Sequence, residues 1–260
     1  MFGTFGSRSN FYLEIHILIV LFITGLLAGV LNAIAGGATF FTFPALMWAG
    51  LSPLSANATN FIATAPGNIA ALPAFLTELR IIGKRIIVPV ILSMIGGVVG
   101  AFILFSLGAN IFENLVPYLM GFATILFVAA PHLRKLVLRS SIRTGVIPAI
   151  LLLIFAIYGG YFGAGLGQIA LAVLILIGFE NLHTANAMKN AVISAISIPA
   201  SIIYIVSGEV FWPYAAVMCV GTTIGGFTGG KFSKWVSPFY LRVFIIALGA
   251  LLTIYYFKAL

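Results

Sequence analysis

Polar side chains occur twice in the same pattern within an otherwise apolar chain. The stretches "SANATN" and "TANAMKN" supply Asn57, Thr59, Asn60, Asn186, Lys189 and Asn190. Amides, hydroxyls and an ammonium all donate hydrogen bonds, and a cation inside an apolar segment usually faces a cavity or a partner because its burial is costly. The pattern therefore indicates anion binding. Two alternatives remain open: the Lys189 stem can carry its ammonium to a membrane interface, and the asparagines can link neighbouring helices.

Residues that could support catalysis are few and scattered. The chain has no aspartate, and its three histidines (His16, His132 and His183) and single Cys219 show no metal-ligand spacing. No pair of carboxylates is spaced for acid–base chemistry, and there is no phosphate-binding glycine loop of the Walker type. The sequence therefore predicts neither an enzyme nor a bound cofactor or metal.

The composition indicates a protein that lies within a lipid bilayer. Of 260 residues, 62% are hydrophobic and 7% are charged, whereas a soluble domain carries about 25% charged residues. Apolar runs of roughly 18 residues or more, long enough to cross a membrane, recur along the chain. The net charge of +8 is spread over short loops, which fits the positive-inside rule and argues against a nucleic-acid partner. We expect an all-α polytopic protein of the cytoplasmic membrane.

Two apolar segments, 15–50 and 144–179, are much longer than the ~20 residues that one crossing needs. Glycines interrupt both of them: Gly36, Gly37, Gly163, Gly165 and Gly167. We expect a helix, a break and a short re-entrant helix in each, the first from Ala38 to Gly50 and the second from near Gln168. Free N–H groups at such a helix start favour an anion, and Thr39 is a candidate cap or ligand there.

The sequence contains an internal repeat. "SANA" at 55–58 recurs as "TANA" at 184–187, and "IGGVVGA" at 95–101 recurs as "IGGFTGG" at 224–230, each time 129 residues later. The small residues of the second pair are typical of close helix packing. The repeat divides the chain into an N-terminal half (1–130), a basic linker (131–143) and a C-terminal half (144–260), which together form one membrane domain.

Loop charges distinguish two arrangements of these halves. If each long segment crosses once, the halves are parallel and the loop with Lys231 and Lys234 lies outside. If each long segment enters and returns, the halves are inverted, with about eight full spans and two re-entrant helices. The loop 77–85, the linker and the loop with Lys231 and Lys234 are then all cytoplasmic, and Glu209 lies outside. The inverted arrangement satisfies the positive-inside rule better and is typical of secondary transporters.

The same motifs resemble the sulfite exporter TauE/SafE family of bacterial and archaeal membrane proteins. The first copy reads "AGVLNAIAGGATFFTFPAL", "SANATN" and "IGGVVGA", and the second reads "YGGYFGAGLGQ", "TANAMKN", "SGEVFWPYA" and "IGGFTGG". One departure is Ala38, where many members extend the glycine run. The resemblance implies transport of small organic or sulfur-containing anions such as sulfite, sulfoacetate or other sulfonates.

A central binding site follows from the residues and the resemblance together. The resemblance implies a central-site role for Gly36, Gly37, Asn57, Asn60, Gly165, Gly167, Asn186, Lys189 and Asn190. The residue patterns add Thr39, Thr59 and Gln168. We expect a secondary carrier or facilitator that works by alternating access, and the sequence does not indicate its oligomeric state. An anion channel and a non-transporting membrane scaffold subunit are the alternatives.

Overall fold

The computed structural model describes residues 7–139, 146–179, 181–232 and 238–259. These residues form helices without any strand: α1 (Ser7–Ile34), α2 (Thr39–Trp48), α3 (Pro53–Ala71), α4 (Leu76–Ile82), α5 (Ile87–Leu107), α6 (Ala109–Arg139), α7 (Val146–Tyr161), α8 (Leu166–Leu176), α9 (Leu182–Val206), α10 (Trp212–Phe232) and α11 (Pro238–Ala259). Short 3₁₀ turns at Leu72–Phe75 and Gly83–Ile86 flank α4. The predicted all-α fold is confirmed.

Apolar side chains cover much of the outer surface of the bundle. Ile81, Phe102 and Leu251 are each about two-thirds exposed or more, which suits contact with lipid rather than water. In the described ranges, four helical stretches are long and apolar enough to cross a membrane: Glu14–Ile34, Pro53–Leu107, Ala109–Ala129 and His183–Val206. The second stretch contains α3, α4 and α5. Several apolar helices therefore fit a multi-pass membrane protein.

Both long apolar segments are interrupted at their glycines. The chain between α1 and α2 passes through Gly36 and Gly37 with φ of 75° and 101°, a backbone region that favours glycine. The chain between α7 and α8 passes through Gly165 with φ of 74°, and this residue precedes the first turn of α8. Helix α8 consequently begins at Leu166, two residues before the predicted start near Gln168. Helix α2 begins at Thr39 rather than Ala38.

Each short helix returns toward the end of the bundle where its preceding helix began. Ala49 follows α2, and its carbonyl lies 3.5 Å from the Tyr214 hydroxyl near the start of α10. Phe179 follows α8, and its ring lies 5.5 Å from the Arg85 guanidinium near the start of α5. Helix α1 runs parallel to α10, and α7 runs parallel to α5. The short helices α2 and α8 therefore reverse the direction of the chain.

Helices α1, α3 and α10 form one group of parallel helices. Phe22 of α1 lies beside Gly221 of α10. Eight residues later on each helix, Val30 lies beside Gly229, so α1 and α10 run in the same direction. Helix α3 packs against α10 in the same direction. Glycines allow these backbones to approach closely, as the sequence analysis expected.

Helices α5, α7 and α9 form a second group of parallel helices. Gly97 of α5 packs against Ile196 of α9, and Phe105 packs against Tyr204 eight residues further along each helix. Helix α7 packs against α5 in the same direction, with Gly96 beside Ala156. This group contains the repeat counterparts of the first group.

The two groups run in opposite directions where they meet. Near the start of α3, the Ser55 hydroxyl donates to Glu209, which follows the end of α9. Further along α3, the Phe61 ring stacks on Tyr204, which lies before the end of α9. The equivalent helices α3 and α9 are therefore antiparallel.

The contacts between the groups repeat at the same offset as the sequence motifs. Gly97 packs against Ile196, and Gly226 packs against Gly67. Each member of the second pair is the counterpart, 129 residues away, of a member of the first pair. Each half thus contributes one helix to the other half's group, and the two halves are interlocked in one body.

The connection between the halves is partly helical. Helix α6 extends to Arg139, so the predicted linker 131–143 begins as the last turns of that helix. Arg143 of the linker and Lys234 of the following basic loop lie outside the described residues.

Candidate functional site

The two breaks meet at the centre of the bundle. A Cβ added to Gly36 would collide with the Gly167 Cα, and a Cβ added to Gly167 would collide with the Gly36 Cα. Both positions therefore require glycine for backbone-to-backbone contact between the halves. Gly37 and Gly165 lie beside the same ring, that of Phe127. The structure thus brings four predicted glycines together.

A small cavity lies beside this contact. Its volume is ≈ 30 Å³, room for about two or three water molecules at roughly 10–15 Å³ each. The lining residues are Asn32, Ala38, Thr39, Asn60, Phe61, Thr64, Asn68, Phe162, Gly163, Leu166, Ile193 and Ser197. Residues from both breaks and from the equivalent helices α3 and α9 therefore share one cavity.

Hydrogen-bond donors reach this cavity from two helix starts. Ala38 and Thr39 stand at the start of α2, which has no side-chain cap. Leu166 stands at the start of α8, whose preceding residue, Gly165, provides no side-chain cap either. The first N–H groups of a helix have no intrahelical acceptor. Residues at both helix starts therefore border the same small space, where the positive ends of helix dipoles are expected.

Asn60 adds a polar side chain to the cavity wall. The Thr42 hydroxyl of α2 lies within hydrogen-bonding distance of its Oδ1. The Thr42 hydroxyl also lies 3.0 Å from the Ala38 carbonyl. Thr42 thereby holds α2 against α3 and orients the predicted residue Asn60.

Sequence reasoning missed other polar residues of the cavity: Asn32, Thr64, Asn68 and Ser197. The Asn32 amide donates to Asn68 Oδ1 at 2.5 Å, and the Thr64 hydroxyl donates to the Asn60 carbonyl at 2.8 Å. A sequence signal for this group exists. Asn60, Thr64 and Asn68 recur at every fourth position and so share one face of α3, and Ser197 is the repeat counterpart of Asn68.

Lys189 is fully buried beside the first break but does not line the cavity. Its Nζ donates to the carbonyls of Asn32 and Ala33, each at 3.2 Å. These carbonyls lie at the end of α1, where the helix dipole favours a cation, and the Asn32 carbonyl also accepts the Gly36 N–H at 3.1 Å. In the described part of the chain, both recorded partners of Lys189 are neutral carbonyls. Its repeat counterpart is Asn60.

The end of α7 is held from the opposite half. The Asn57 amide of α3 donates to the Tyr161 carbonyl at 3.2 Å, and the Tyr204 hydroxyl donates to the Gly160 carbonyl at 2.7 Å. Asn57 is fully buried. The structure therefore places Asn57 at the carbonyl end of the second break, as it places Lys189 at the first.

Thr59, Asn186 and Asn190 do not line the cavity. The Thr59 hydroxyl accepts a bond from the Phe211 N–H at 2.9 Å and so anchors the loop before α10. The Asn190 amide donates to the Asn186 carbonyl at 3.0 Å, one turn earlier in α9. Gln168 lies in the first turn of α8, and its side chain is outside the described residues. Among the described residues, no three potential ligands of the His, Cys, Asp or Glu type are grouped to hold a metal.

Fold and site together define a multi-pass membrane protein with a polar cavity between two broken helices. The family model for the sulfite exporter TauE/SafE matches residues 21–256. The chain therefore belongs to the TauE/SafE family of membrane transporters, and the predicted resemblance is confirmed.

Three similar proteins are each named as a probable membrane transporter protein. A probable membrane transporter protein of Haemophilus influenzae is 26% identical over 92% of this chain and 94% of its own length. The probable membrane transporter protein YfcA of Escherichia coli K12 is 29% identical over 95% of this chain and 91% of its own length. A third, ORF9 of a Sinorhizobium species, is 25% identical over 85% of each chain. The matches span nearly whole chains, so they concern the complete membrane domain.

Proposed function

We propose that this transporter moves small organic or sulfur-containing anions, of the sulfite and sulfonate type, across the cytoplasmic membrane. The observation that carries the proposal is the cavity between two uncapped helix starts, lined by Thr39 and the Asn60 amide. Backbone N–H groups, an amide and a hydroxyl donate hydrogen bonds to an oxyanion, and helix dipoles add to the attraction. Binding of a cation at the same donors is disfavoured.

The charge of Lys189 supports an anionic substrate. Its ammonium is fully buried, and its recorded partners are two neutral carbonyls. A buried cation is usually paired with an anion, because an uncompensated charge in a low-dielectric interior is costly. The Asn32 backbone separates the ammonium from the cavity by one residue. A bound anion would therefore supply the missing negative charge at short range.

Alternating access between two inverted repeats is the proposed mechanism. It is supported by the antiparallel directions of α3 and α9 and by the contacts that recur at the repeat offset. Inverted repeats place a substrate site at their interface, where broken helices point their ends at the substrate. Rocking of one helix group against the other would open the cavity to each side in turn.

The proposed orientation follows the loop charges. The exposed loop with Lys84 and Arg85 lies at the end of the bundle where α5 and α7 begin. Glu209 lies at the opposite end, beside the start of α3. The positive-inside rule assigns the basic end to the cytoplasm. The proposed location is therefore the cytoplasmic (inner) membrane, with the basic end of the bundle inside.

A thermal-shift series tests the proposed substrate class. Purified protein is heated with sulfite, methanesulfonate, acetate or chloride as the sodium salts at one ionic strength. A ligand that binds only the folded state stabilises it by about 2.7 kcal/mol at one hundred times its dissociation constant. We expect one or more oxyanions to raise the melting temperature above the chloride control. Equal melting temperatures with all four salts would contradict the anion site.

Flux in proteoliposomes tests the mechanism. A carrier shows saturable uptake that is stimulated by the same anion on the opposite side. Conductance at single-channel rates would instead support the channel alternative. Absence of any flux from folded protein that binds an anion would support a scaffold subunit.

A further inference from the structure

A cluster of aromatic rings lies behind Phe61, which lines the cavity. The Phe61 ring, which lines the cavity, stacks on the Tyr204 ring with centroids 4.4 Å apart and planes at 12°. Phe105 of α5 meets Tyr204 edge-on, with centroids 5.2 Å apart. Tyr204 is fully buried. Offset-stacked and edge-on pairs of this kind stabilise an interface beyond simple area burial.

Hydrogen bonds connect this cluster to the second break. The Tyr204 hydroxyl donates to the Gly160 carbonyl at 2.7 Å, and the Asn57 amide lies 3.4 Å from the same hydroxyl and 3.2 Å from the Tyr161 carbonyl. Gly160 and Tyr161 are the last residues of α7. Tyr204 and Asn57 thereby join α3, α5 and α9 to the helix that ends at the cavity.

The cluster lies between the cavity and the Glu209 end of the bundle. Ser55 hydrogen-bonds Glu209 at that end, and Phe61 follows six residues later on α3, or about 9 Å at 1.5 Å per residue. The cavity residues Thr64 and Asn68 follow further along the same helix. The Phe61–Tyr204 stack therefore lies on the Glu209 side of the cavity along α3.

Residues of different types lie on the opposite side of the cavity. The repeat counterparts of Asn57, Phe61 and Tyr204 are Asn186, Asn190 and Phe75. Asn190 and Phe75 are both buried, so amides and one ring replace the stacked pair. The Oδ1 atoms of both amides have no recorded partner among the described residues. In the part of the chain that the structure describes, Asn57 Oδ1 and the Tyr161 hydroxyl are likewise buried without a partner on the aromatic side, so the two sides differ in their rings rather than in unpaired polar atoms.

We propose that Tyr204, held by Asn57 and stacked on Phe61, is the gate that closes the cavity toward the Glu209 end. Opening toward the Glu209 end requires the stack to separate and the Gly160 carbonyl to lose its donor. The inference rests on the alternating access proposed above, but it concerns access to the cavity and needs no knowledge of the substrate.

Labelling of a cysteine in the cavity tests the gate. The reporter Thr64→Cys is placed in a Cys219→Ala background, and a membrane-impermeant thiol reagent is added at the Glu209 end of oriented vesicles. We expect slow labelling in the parent and labelling that is at least roughly tenfold faster in Tyr204→Ala, because the stacked wall is removed. Tyr204→Phe keeps the ring but loses the bond to Gly160, so we expect a rise of up to about tenfold.

A matched control separates gating from general loosening. Tyr118→Ala removes the same atoms from a tyrosine that is 59% exposed on the outer surface of α6, and we expect labelling at the parent rate. Fast labelling of the parent from the Glu209 end would overturn the proposal. If Tyr204→Ala fails to fold, Tyr204→Phe and Phe61→Leu replace it, because both conserve most of the packing volume. A labelling rate equal to that of the parent in both variants would also overturn the proposal. Since no substrate is added, failure of the anion proposal would leave these rates unchanged.

Discussion

The Lys189 ammonium caps the carbonyl end of α1, although the sequence pattern indicated a direct contact with the substrate. Its two acceptors belong to Asn32 and Ala33, and Asn32 in turn lines the cavity. Lys189 therefore acts on the cavity through the backbone of α1 and through its charge. This arrangement combines a structural bond with an electrostatic effect on any anion that binds next to it.

Replacement of this lysine separates the two contributions. In Lys189→Met the stem remains but the charge is lost, so we expect anion affinity to fall by about tenfold or more, as for the loss of a charged hydrogen-bond partner. The thermal shift caused by the best anion, titrated in both proteins, measures this change.

Lys231→Met is the matched control, because Lys231 is exposed and packs over the Phe227 ring. Its anion affinity should equal that of the parent. If Lys189→Met lowered the melting temperature yet kept the full anion-dependent shift, Lys189 would have a purely structural role.

Individual site residues could be predicted only in part. Asn60 and Thr39 line the cavity. Thr39 was visible because it follows a glycine break, and Asn60 because it belongs to the repeated motif SANATN. Asn32 was not predicted, because it is a single polar residue in an apolar helix. Its role depends on a bond to Asn68, which is 36 residues away. Such a contact follows from the return of α2 between them and has no local sequence signal.

At the scale of helices, the glycine breaks were predictable and the helix starts were less so. The excess length of two apolar segments and their glycines predicted both breaks. Helix α8 begins two residues earlier than predicted, because Gly165 adopts a left-handed conformation immediately before Leu166. That conformation depends on packing against Ala123 and Phe127 of α6, which the local sequence does not reveal.

Close helix crossings make specific predictions about stability. A Cβ at position 226 would collide with the Gly67 carbonyl of α3. We expect Gly226→Ala to destabilise the protein by about 1–3 kcal/mol, because backbones must separate. Thermal unfolding in detergent measures the change as a lower melting temperature.

Gly121→Ala provides the comparison for this substitution. Gly121 lies in α6, and an added Cβ would meet only the Thr253 methyl group, at 3.2 Å. Because alanine favours a helix over glycine by about 1 kcal/mol, we expect little change or a small gain in stability. Equal melting temperatures for the two variants would contradict the proposed tight crossing of α3 and α10.

At the scale of the whole molecule, the repeat and the loop charges predicted an inverted arrangement of the halves. The antiparallel directions of α3 and α9 agree with an inverted arrangement. The interlocking of the halves was not predictable, since the exchange of α5 and α10 between the two groups depends on contacts between distant glycines.

Labelling of two loops tests the inverted arrangement in a membrane. Glu209→Cys and Lys84→Cys are introduced separately into a Cys219→Ala background and exposed to an impermeant thiol reagent in intact cells. We expect labelling of position 209 from outside and of position 84 only after the membrane is permeabilised. If each long segment crossed once, both positions would lie on the same side, so identical labelling patterns would contradict the inverted arrangement. Parent protein with Cys219 removed gives the background.

The equivalence of Asn60 and Lys189 has an energetic consequence for transport. In inverted repeats, the inward-open and outward-open states exchange the environments of equivalent positions. Asn60 is neutral and hydrogen-bonds with α2, whereas Lys189 carries a charge and hydrogen-bonds with the end of α1. The exchange therefore cannot be isoenergetic, and the empty protein has a preferred resting side. Under the proposed alternating access, cargo that bound the disfavoured state more tightly would shift this balance by the difference in its binding free energy. The divergence of one amide and one ammonium after duplication would then set the resting state of the empty protein.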